Sequence, residues 1–449
     1  MKPFQLIDRT NGGSIKNDLL SGITVALALV PEAVAFAFVA GISPIIGLYG
    51  AFMMGLVTSI FGGRPGMISG ATGAMAVVMV HLVKEGNQLG GTDSSGLQYL
   101  FGALLLAGIL QIFAGLLKLG KFVRMIPHSV MMGFVNGLAI VIFISQLGMF
   151  KSNGNWLQGS ALFIMIALVS TTMLIMAFLP LITKKIPAAL MAIIVVSLAV
   201  ILGDLDTETV KSFIVANGGE GIKAGLPNFQ IPLISFSLDT LFFIAPYSFI
   251  LASIGLIESL MTLNLIDELT DTHGSGNREC VAQGAGNILN SFFGGMGGCA
   301  MIGQSIINIK SGGRGRLSGI TAALALLFFI LFGSSYIEQV PIAALVGVMF
   351  MVVLGTFAWS TFKVWNKVPT ADVIVILLVT IITVFFDLAI AVLSGVIVSS
   401  LVFAWENAKR IRARKHIDDY GVKHYEIYGP LFFGCIELFN SKFDVKNDP

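Results

Sequence analysis

Charge is what this sequence most lacks. Only 12% of its 449 residues are Asp, Glu, Lys or Arg, about half the share a water-soluble domain carries. A soluble enzyme, a nucleic-acid binder and a disordered scaffold are thereby excluded. Neither sign dominates, since 27 Lys and Arg stand against 25 Asp and Glu, so charge acts here through placement and not through its sum. Cysteine is equally scarce. Cys280, Cys299 and Cys435 are widely spaced and fit no disulfide framework or metal-ligand pattern. No Ser/His pair, paired-Asp motif or His-Glu-x-x-His lies in the apolar stretches, which argues against an intramembrane enzyme. The first apolar stretch has no small-residue cleavage site behind it and holds Pro31 and Glu32 inside, so it reads as a retained span.

What the chain has in abundance is apolar sequence: 55% hydrophobic residues and a mean hydropathy of +0.88. Runs long enough to cross a bilayer lie near 18–40, 44–61, 97–117, 124–149, 160–182, 187–203, 239–265, 317–333, 339–358, 370–386 and 388–405. Three further segments, 67–83, 279–293 and 299–311, are short or broken by glycine. Counting all of them predicts an all-α polytopic membrane protein of fourteen segments. The basic residues give an independent check, because Lys and Arg collect in cytoplasmic loops. With both termini inside, only Lys84, Lys151, Lys211 and Lys223 of the 27 basic residues fall outside. The loop from Asp204 to Gln230 is the one sizeable outer excursion. Residues 1–16 then form a cytoplasmic N-terminus, 17–405 the transmembrane domain, and 406–449 a cytoplasmic tail. In that tail Val422 to Gly434 alternates like two strands around a Gly-Pro turn, the expected start of a cytoplasmic domain that this chain truncates.

Phe61-Gly-Gly63 precedes one broken segment and Phe293-Gly-Gly295 precedes another, 232 residues later. Seven crossings separate them, so the second unit enters from the opposite side, which makes an inverted repeat. Glycines let the backbone run extended to mid-membrane before a helix starts inside protein. Two helix N-termini, near Thr72 and near Ala300, would then face one another at the midplane. Each carries unpaired N–H groups and about half a positive charge, a site for a small anion. Glycine also serves close helix packing, but packing needs no matching Phe-Gly-Gly in the other half.

Ionisable residues within spans are functional candidates, and Glu32 and Glu258 sit well inside theirs. Glu258 and Thr262 share a helix face and offer oxygen ligands for Na⁺. Glu32 follows Pro31, which frees a carbonyl in the preceding turn, and Phe36 lies on its face. The histidines fall at span ends or in cytoplasmic segments, where solvation explains them.

Pro31-Glu-Ala-Val-Ala-Phe36 with Gly47-Leu-Tyr49, Ile68-Ser-Gly-Ala-Thr-Gly-Ala-Met75, Asn308 to Gly319 and Tyr425 to Gly434 together resemble the SulP anion permeases, also called solute carrier family 26. The resemblance covers essentially the whole chain. It implies a core of spans 1–4 and 8–11, a gate of spans 5–7 and 12–14, and a STAS domain of which only the first strands are present. It also implies a homodimer in a bacterial inner membrane that moves sulfate, bicarbonate, chloride or dicarboxylates. By position, Glu32, Phe36, Thr72, Gly73, Ala74, Met75, Ala300, Met301 and Ile302 would line the anion pocket. Cyanobacterial Na⁺–bicarbonate symporters of the family carry a carboxylate and a threonine where Glu258 and Thr262 stand. Two departures make this pocket less positive: Glu32 replaces a frequent Gln, and Gln304 a frequent Arg.

An ionised Glu32 would repel an anion, and protonating it would let anion and proton bind together; Na⁺ at Glu258 would act similarly. A nucleobase permease shares the architecture but would want polar side chains where this chain has Ala, Met, Ile and Gly. A membrane sensor or scaffold would explain the tail but not the opposed helix ends. The charge pattern puts both Arg64 and Lys310 in the cytoplasm. An impermeant thiol reagent is expected to label a cysteine at Asn217 from outside and one at Arg64 only from inside; labelling of both from one face would reverse the topology.

Overall fold

The computed structural model describes residues 14–91, 95–120, 127–152, 155–183, 188–216, 225–234, 237–364, 369–385, 388–408, 411–418, 422–429 and 436–443. Asn217 and Lys223 lie outside the described residues. The chain opens with α1 (Ile15–Val39) and α2 (Pro44–Phe61), then β1 (Ser69–Ala71), α3 (Gly73–Gly90), α4 (Ser95–Leu116) and α5 (His128–Leu147). Two-residue strands β2 (Lys151–Ser152) and β3 (Asn155–Trp156) precede α6 (Gly159–Ile182), α7 (Ala188–Leu202) and the short α8 (Val210–Ala216). The second half comprises α9 (Leu238–Thr270), α10 (Gly276–Phe293), β4 (Gly298–Ala300), α11 (Ile302–Lys310), α12 (Arg316–Glu338), α13 (Ile342–Thr356), α14 (Ser360–Val364), α15 (Thr370–Phe385) and α16 (Leu388–Ala408). β5 (Arg412–Ile417), β6 (Lys423–Tyr428) and α17 (Ile436–Asn440) end it.

Among the described residues, eight helices are long and apolar enough to cross a membrane, and three shorter apolar helices accompany them. Local chemistry marks their starts. Ser14 and Ser237 cap α1 and α9 by accepting from the N–H of Asn17 and Thr240, which supplies partners to donors a helix leaves orphaned. The helices are held by small residues as much as by large ones. A Cβ on Gly108 of α4 would lie 2.6 Å from the Gly284 carbonyl of α10, so only glycine lets these two backbones approach so closely.

The chain divides into two compact units. The first, Met1–Met125 with Leu138–Phe357, contains β1, β4 and the helices around them. In it α10 packs along α4, and α1 and α2 both pack on α12. The second unit, Ile126–Gly137 with Ala358–Pro449, pairs α15 with α16 and ends in the tail. Its Asn136 side chain bonds Thr361 Oγ1 (2.9 Å) and the Ala358 N–H (2.8 Å).

The tail shows one of the two strands expected there. Residues 423–428 do form a strand, but its partner is the basic stretch before it: β5 and β6 pair antiparallel from Arg412↔Tyr428 to Ile417↔Lys423. Asp418 closes that turn, its carboxylate accepting from the Val422 N–H (2.8 Å) while its own N–H reaches the Val422 carbonyl (3.0 Å). The expected Gly-Pro turn and the strand after it fall on residues 430–435, which lie outside the described residues.

At the end of the first unit where the basic residues gather, side chains tie the segment before β1 to the second repeat. The Gly63 N–H donates to Glu279 Oε2 (2.7 Å), and the Arg316 guanidinium donates to the carbonyls of Ser59, Ile60 and Gly62 at the C-terminus of α2, where a cation complements the helix dipole. Arg64 is buried against Asp267 (Nε–Oδ1 3.1 Å) and donates to Thr270, Thr272 and the Ile266 carbonyl. Because Arg64 is buried, exposed Lys310 is the better inner position for cysteine labelling. Removing one partner of a buried pair strands the other charge, so Arg64→Ala is expected to cost about 3–5 kcal/mol of stability; thermal unfolding in detergent measures it, and an unchanged midpoint would refute the role.

Candidate functional site

The two broken segments meet as a pair of strands. β1 and β4 run antiparallel with Ser69↔Ala300, Gly70↔Cys299 and Ala71↔Gly298 opposed, so α3 and α11 leave the ladder in opposite directions. α3 starts ten positions after Gly63, at Gly73, and α11 seven positions after Gly295, at Ile302. The repeats thus align best three residues away from the register of their Phe-Gly-Gly motifs. The ladder spans about 10 Å, with one helix N-terminus at each end.

The first intrahelical bonds run from Ala76 N–H to the Thr72 carbonyl (3.0 Å) and from Ser305 N–H to the Met301 carbonyl (3.0 Å). The N–H groups of 73–75 and 302–304 therefore precede any intrahelical partner. Thr72 and Met301 occupy the capping positions, and neither side chain makes a capping bond. Both positive helix ends are left uncapped along one strip.

Helix α1 lies along that strip. Phe36 packs over Gly73, where a Cβ would meet its ring at 2.8 Å and Ile142 at 2.9 Å. One turn earlier, Glu32 is half-buried and within hydrogen-bonding reach of Gln304 in the first turn of α11. α1 therefore places an apolar ring at one helix start and a carboxyl group at the other. Beside Gln304, Gly303 is exposed, and a Cβ there would meet nothing within 4 Å.

Other predicted residues take part by backbone only. Ala74 and Met75 are buried, with Met75 Cε against Gly297. Met301 sets its sulfur over Gly70, and Ile302 is half-buried at the helix start. A helix does begin near Ala300, at Ile302, and Ala300 itself is the last strand residue before it. It belongs to β4, packs with Met67 and Leu263, and gives its N–H to Ser259 Oγ (3.0 Å).

On α9, Thr262 is buried and donates to the backbone carbonyl of Glu258 (2.8 Å) and not to its carboxylate. The Glu258 carboxylate accepts from Cys299 Sγ at Oε2 (2.9 Å), and Cys299 Sγ in turn lies 3.2 Å from Thr72 Oγ1. The groups gathered here by α9 and β4 are a carboxylate, a thiol and the Thr72 hydroxyl, with the Thr262 hydroxyl on the backbone carbonyl of Glu258. Among the described residues no group of three or more His, Cys, Asp or Glu gathers as a metal site.

Sequence reasoning missed the polar row on α10. Glu279, Gln283, Asn287 and Ser291 recur every four residues and are all buried, which puts them on one face. Gln283 Nε2 bonds Ser69 Oγ (2.9 Å), and Asn287 pairs its amide with both the N–H (3.0 Å) and carbonyl (3.1 Å) of Gly298. Asn287 also reaches Gln111 Oε1 (2.9 Å). These residues hold the strand backbone that a helix would have satisfied for itself. The signal was a four-residue polar period inside a segment read as a short apolar span.

An apolar groove of ≈ 340 Å³ lies elsewhere, lined by Leu105, Ile109, Ile231, Leu241, Ile244 and Phe292 among others, and includes none of these residues.

A helical polytopic protein with two half-helix N-termini flanking one strip has the make-up of a membrane transporter. The sequence profile of the sulfate permease family matches residues 15–156 and 151–379, and the chain belongs to that family, one of transporters and not of enzymes. It is 44% identical over 438 residues to YbaR of Bacillus subtilis, provisionally named a sulfate transporter, across 97% of this chain and 86% of that protein. It is 33% identical over 434 residues to the bicarbonate transporter BicA of Synechocystis, across 93% of this chain and 74% of the relative. The transmembrane domain of a cyanobacterial BicA superposes with a TM-score of 0.73 at 32% identity, covering 84% of this chain and 97% of that one. The murine solute carrier 26 family member A9 anion transporter, in its inward-facing state, shares the fold with a TM-score of 0.78 at 18% identity, over 95% and 77%.

The gap over Gly73 has no room for a side chain, so Gly73→Val is expected to abolish binding of small inorganic anions. Thr72→Val removes one hydroxyl and little volume, and should weaken binding by about 0.5–1.5 kcal/mol, the scale of one neutral hydrogen bond. Anion-dependent thermal stabilisation of the purified protein measures both; parental affinity in Thr72→Val would take the hydroxyl out of the site.

Proposed function

We propose that the chain is a secondary active transporter that carries a small inorganic anion, sulfate or bicarbonate, by symport with H⁺ or Na⁺. The observation that carries this reading is the pair of uncapped helix N-termini flanking one strip, lined by backbone N–H groups. Such a site favours a compact anion over a ring whose edge needs polar side chains. The names of the relatives point to the same two anions. In this reading the membrane is a bacterial inner membrane crossed fourteen times, both termini are cytoplasmic, and the protein works as a homodimer. A core of spans 1–4 and 8–11 moves against a gate of spans 5–7 and 12–14.

Coupling follows from where the two acids stand. An ionised Glu32 at the start of α11 would occupy the positive helix end that an anion needs, and protonation removes that competition. Na⁺ held by Glu258 and Thr262 would cancel a second negative charge beside Thr72. Either cation raises anion affinity, and the anion raises cation affinity by the same factor.

Radiolabelled sulfate and bicarbonate uptake into proteoliposomes, with imposed pH or Na⁺ gradients, separates these routes. Glu32→Gln mimics the protonated acid, so anion binding should persist at high pH while pH-driven uptake is lost. Glu258→Gln should abolish Na⁺-stimulated uptake, and Glu32→Gln should leave it intact. Uptake by Glu32→Gln with parental dependence on the pH gradient would end the proton route, and failure of either anion to enter under any gradient would end the whole reading.

A further inference from the structure

Cys299 stands where the candidate cation site and the candidate anion site touch. It is fully buried at the centre of β4, opposite Gly70. Its sulfur donates to Glu258 Oε2 at 2.9 Å and lies 3.2 Å from Thr72 Oγ1. A thiol has a single proton. With that proton given to the carboxylate, the sulfur can only accept from Thr72. Either atom of the Thr72–Cys299 contact could donate, and with the thiol proton on Glu258 Oε2 the proton between them is that of Thr72.

A second observation agrees. Thr72 has the backbone of a capping residue (φ −126°, ψ 149°) but makes no capping bond with its side chain, although threonine commonly supplies one. The hydroxyl is turned from the helix start toward the sulfur. The strand that carries Cys299 is itself fixed, because Asn287 holds both polar groups of Gly298.

We infer that Cys299 is the positioning residue that couples the two sites: its thiol holds the Thr72 hydroxyl toward Glu258 until a cation occupies the carboxylate. When a cation takes the carboxylate oxygen, the thiol loses its acceptor. The sulfur no longer orders Thr72, and the hydroxyl is free to donate to an anion along the strip. Cation binding thus adds one donor to the anion site, and by reciprocity an anion favours the cation. Sulfur is a weak donor and a weak acceptor, so the chain of bonds breaks and re-forms at little cost. The inference rests on Glu258 taking Na⁺ and Thr72 facing the anion, as in the function proposed above.

The test is the ratio of anion dissociation constants without and with saturating Na⁺. Sulfate and bicarbonate are titrated separately against purified full-length protein by thermal shift. In the parent, Na⁺ should tighten at least one of them. Cys299→Ala frees the Thr72 hydroxyl permanently, so Na⁺-free affinity should rise and the ratio should fall about threefold to tenfold, the worth of one hydrogen bond. Cys299→Ser keeps a donor and an acceptor and should retain at least the parental ratio. It also keeps the inference falsifiable should Cys299→Ala not fold, since a lowered ratio in Cys299→Ser would count against it. A merely structural role would weaken binding equally with and without Na⁺ and leave the ratio unchanged, which overturns the relay. So would a parental ratio in Cys299→Ala that disappears in Thr72→Val, because the hydroxyl would then answer Glu258 directly. Absence of any Na⁺ effect on either anion in the parent would overturn the sodium reading and the relay with it.

Discussion

Inside a bilayer no water is available to satisfy a backbone that leaves its helix, and every freed N–H and C=O must find a partner within the protein. The architecture around β1 and β4 depends on this constraint. Each segment forms a three-residue strand between its helices, and the two strands pair in an antiparallel ladder. What the ladder leaves over is taken by side chains: Asn287 on Gly298, Asn290 on the Met296 carbonyl, Ser259 on Ala300, and Asn308 on the Gly66 carbonyl. The first-turn N–H groups of α3 and α11 receive no such side-chain cap. The strip is therefore lined by donors that the ladder and these side chains leave over.

This accounts for the uneven distribution of polar residues in so apolar a chain. Polar side chains on membrane helices are expensive unless paired, and here they concentrate on α10 and at the strand ends, where unpaired backbone would cost as much. The carboxylate of Glu279 belongs to the same arrangement, shared between the Gly63 N–H and Gln283. Glu32 and Glu258 differ from it because they face the strip and the sulfur of Cys299 instead of the loop backbone.

Much of the fold was legible in the sequence because hydrophobic runs and basic loops obey lipid physics directly. The predicted run at 44–61 coincides with α2, and that at 160–182 falls one residue short of α6 at its start. The repeat was legible because two Phe-Gly-Gly motifs cannot be explained by packing alone. The rest depended on contacts between distant residues. The strand before α11 was invisible because Ala300 is as good a helix former as its neighbours, and only pairing with Ser69 makes it a strand. The pairing of β6 with β5 was not legible because an alternating pattern names a strand but not its partner. Gln304, Cys299 and the α10 row carry meaning only through what lies opposite them in space.

The cross-links described for the end where the basic residues gather bind the first repeat's broken segment to the second repeat. Gly63 of the first is held by Glu279 of the second, and the α2 carbonyls by Arg316. With the β1–β4 ladder added, neither helix start can shift without its counterpart. In the function proposed above, such a carrier cannot open by prising its own binding residues apart. It must take them along as one piece of cargo-holding machinery. Which way material flows is then dictated, in that reading, by the gradients outside the protein.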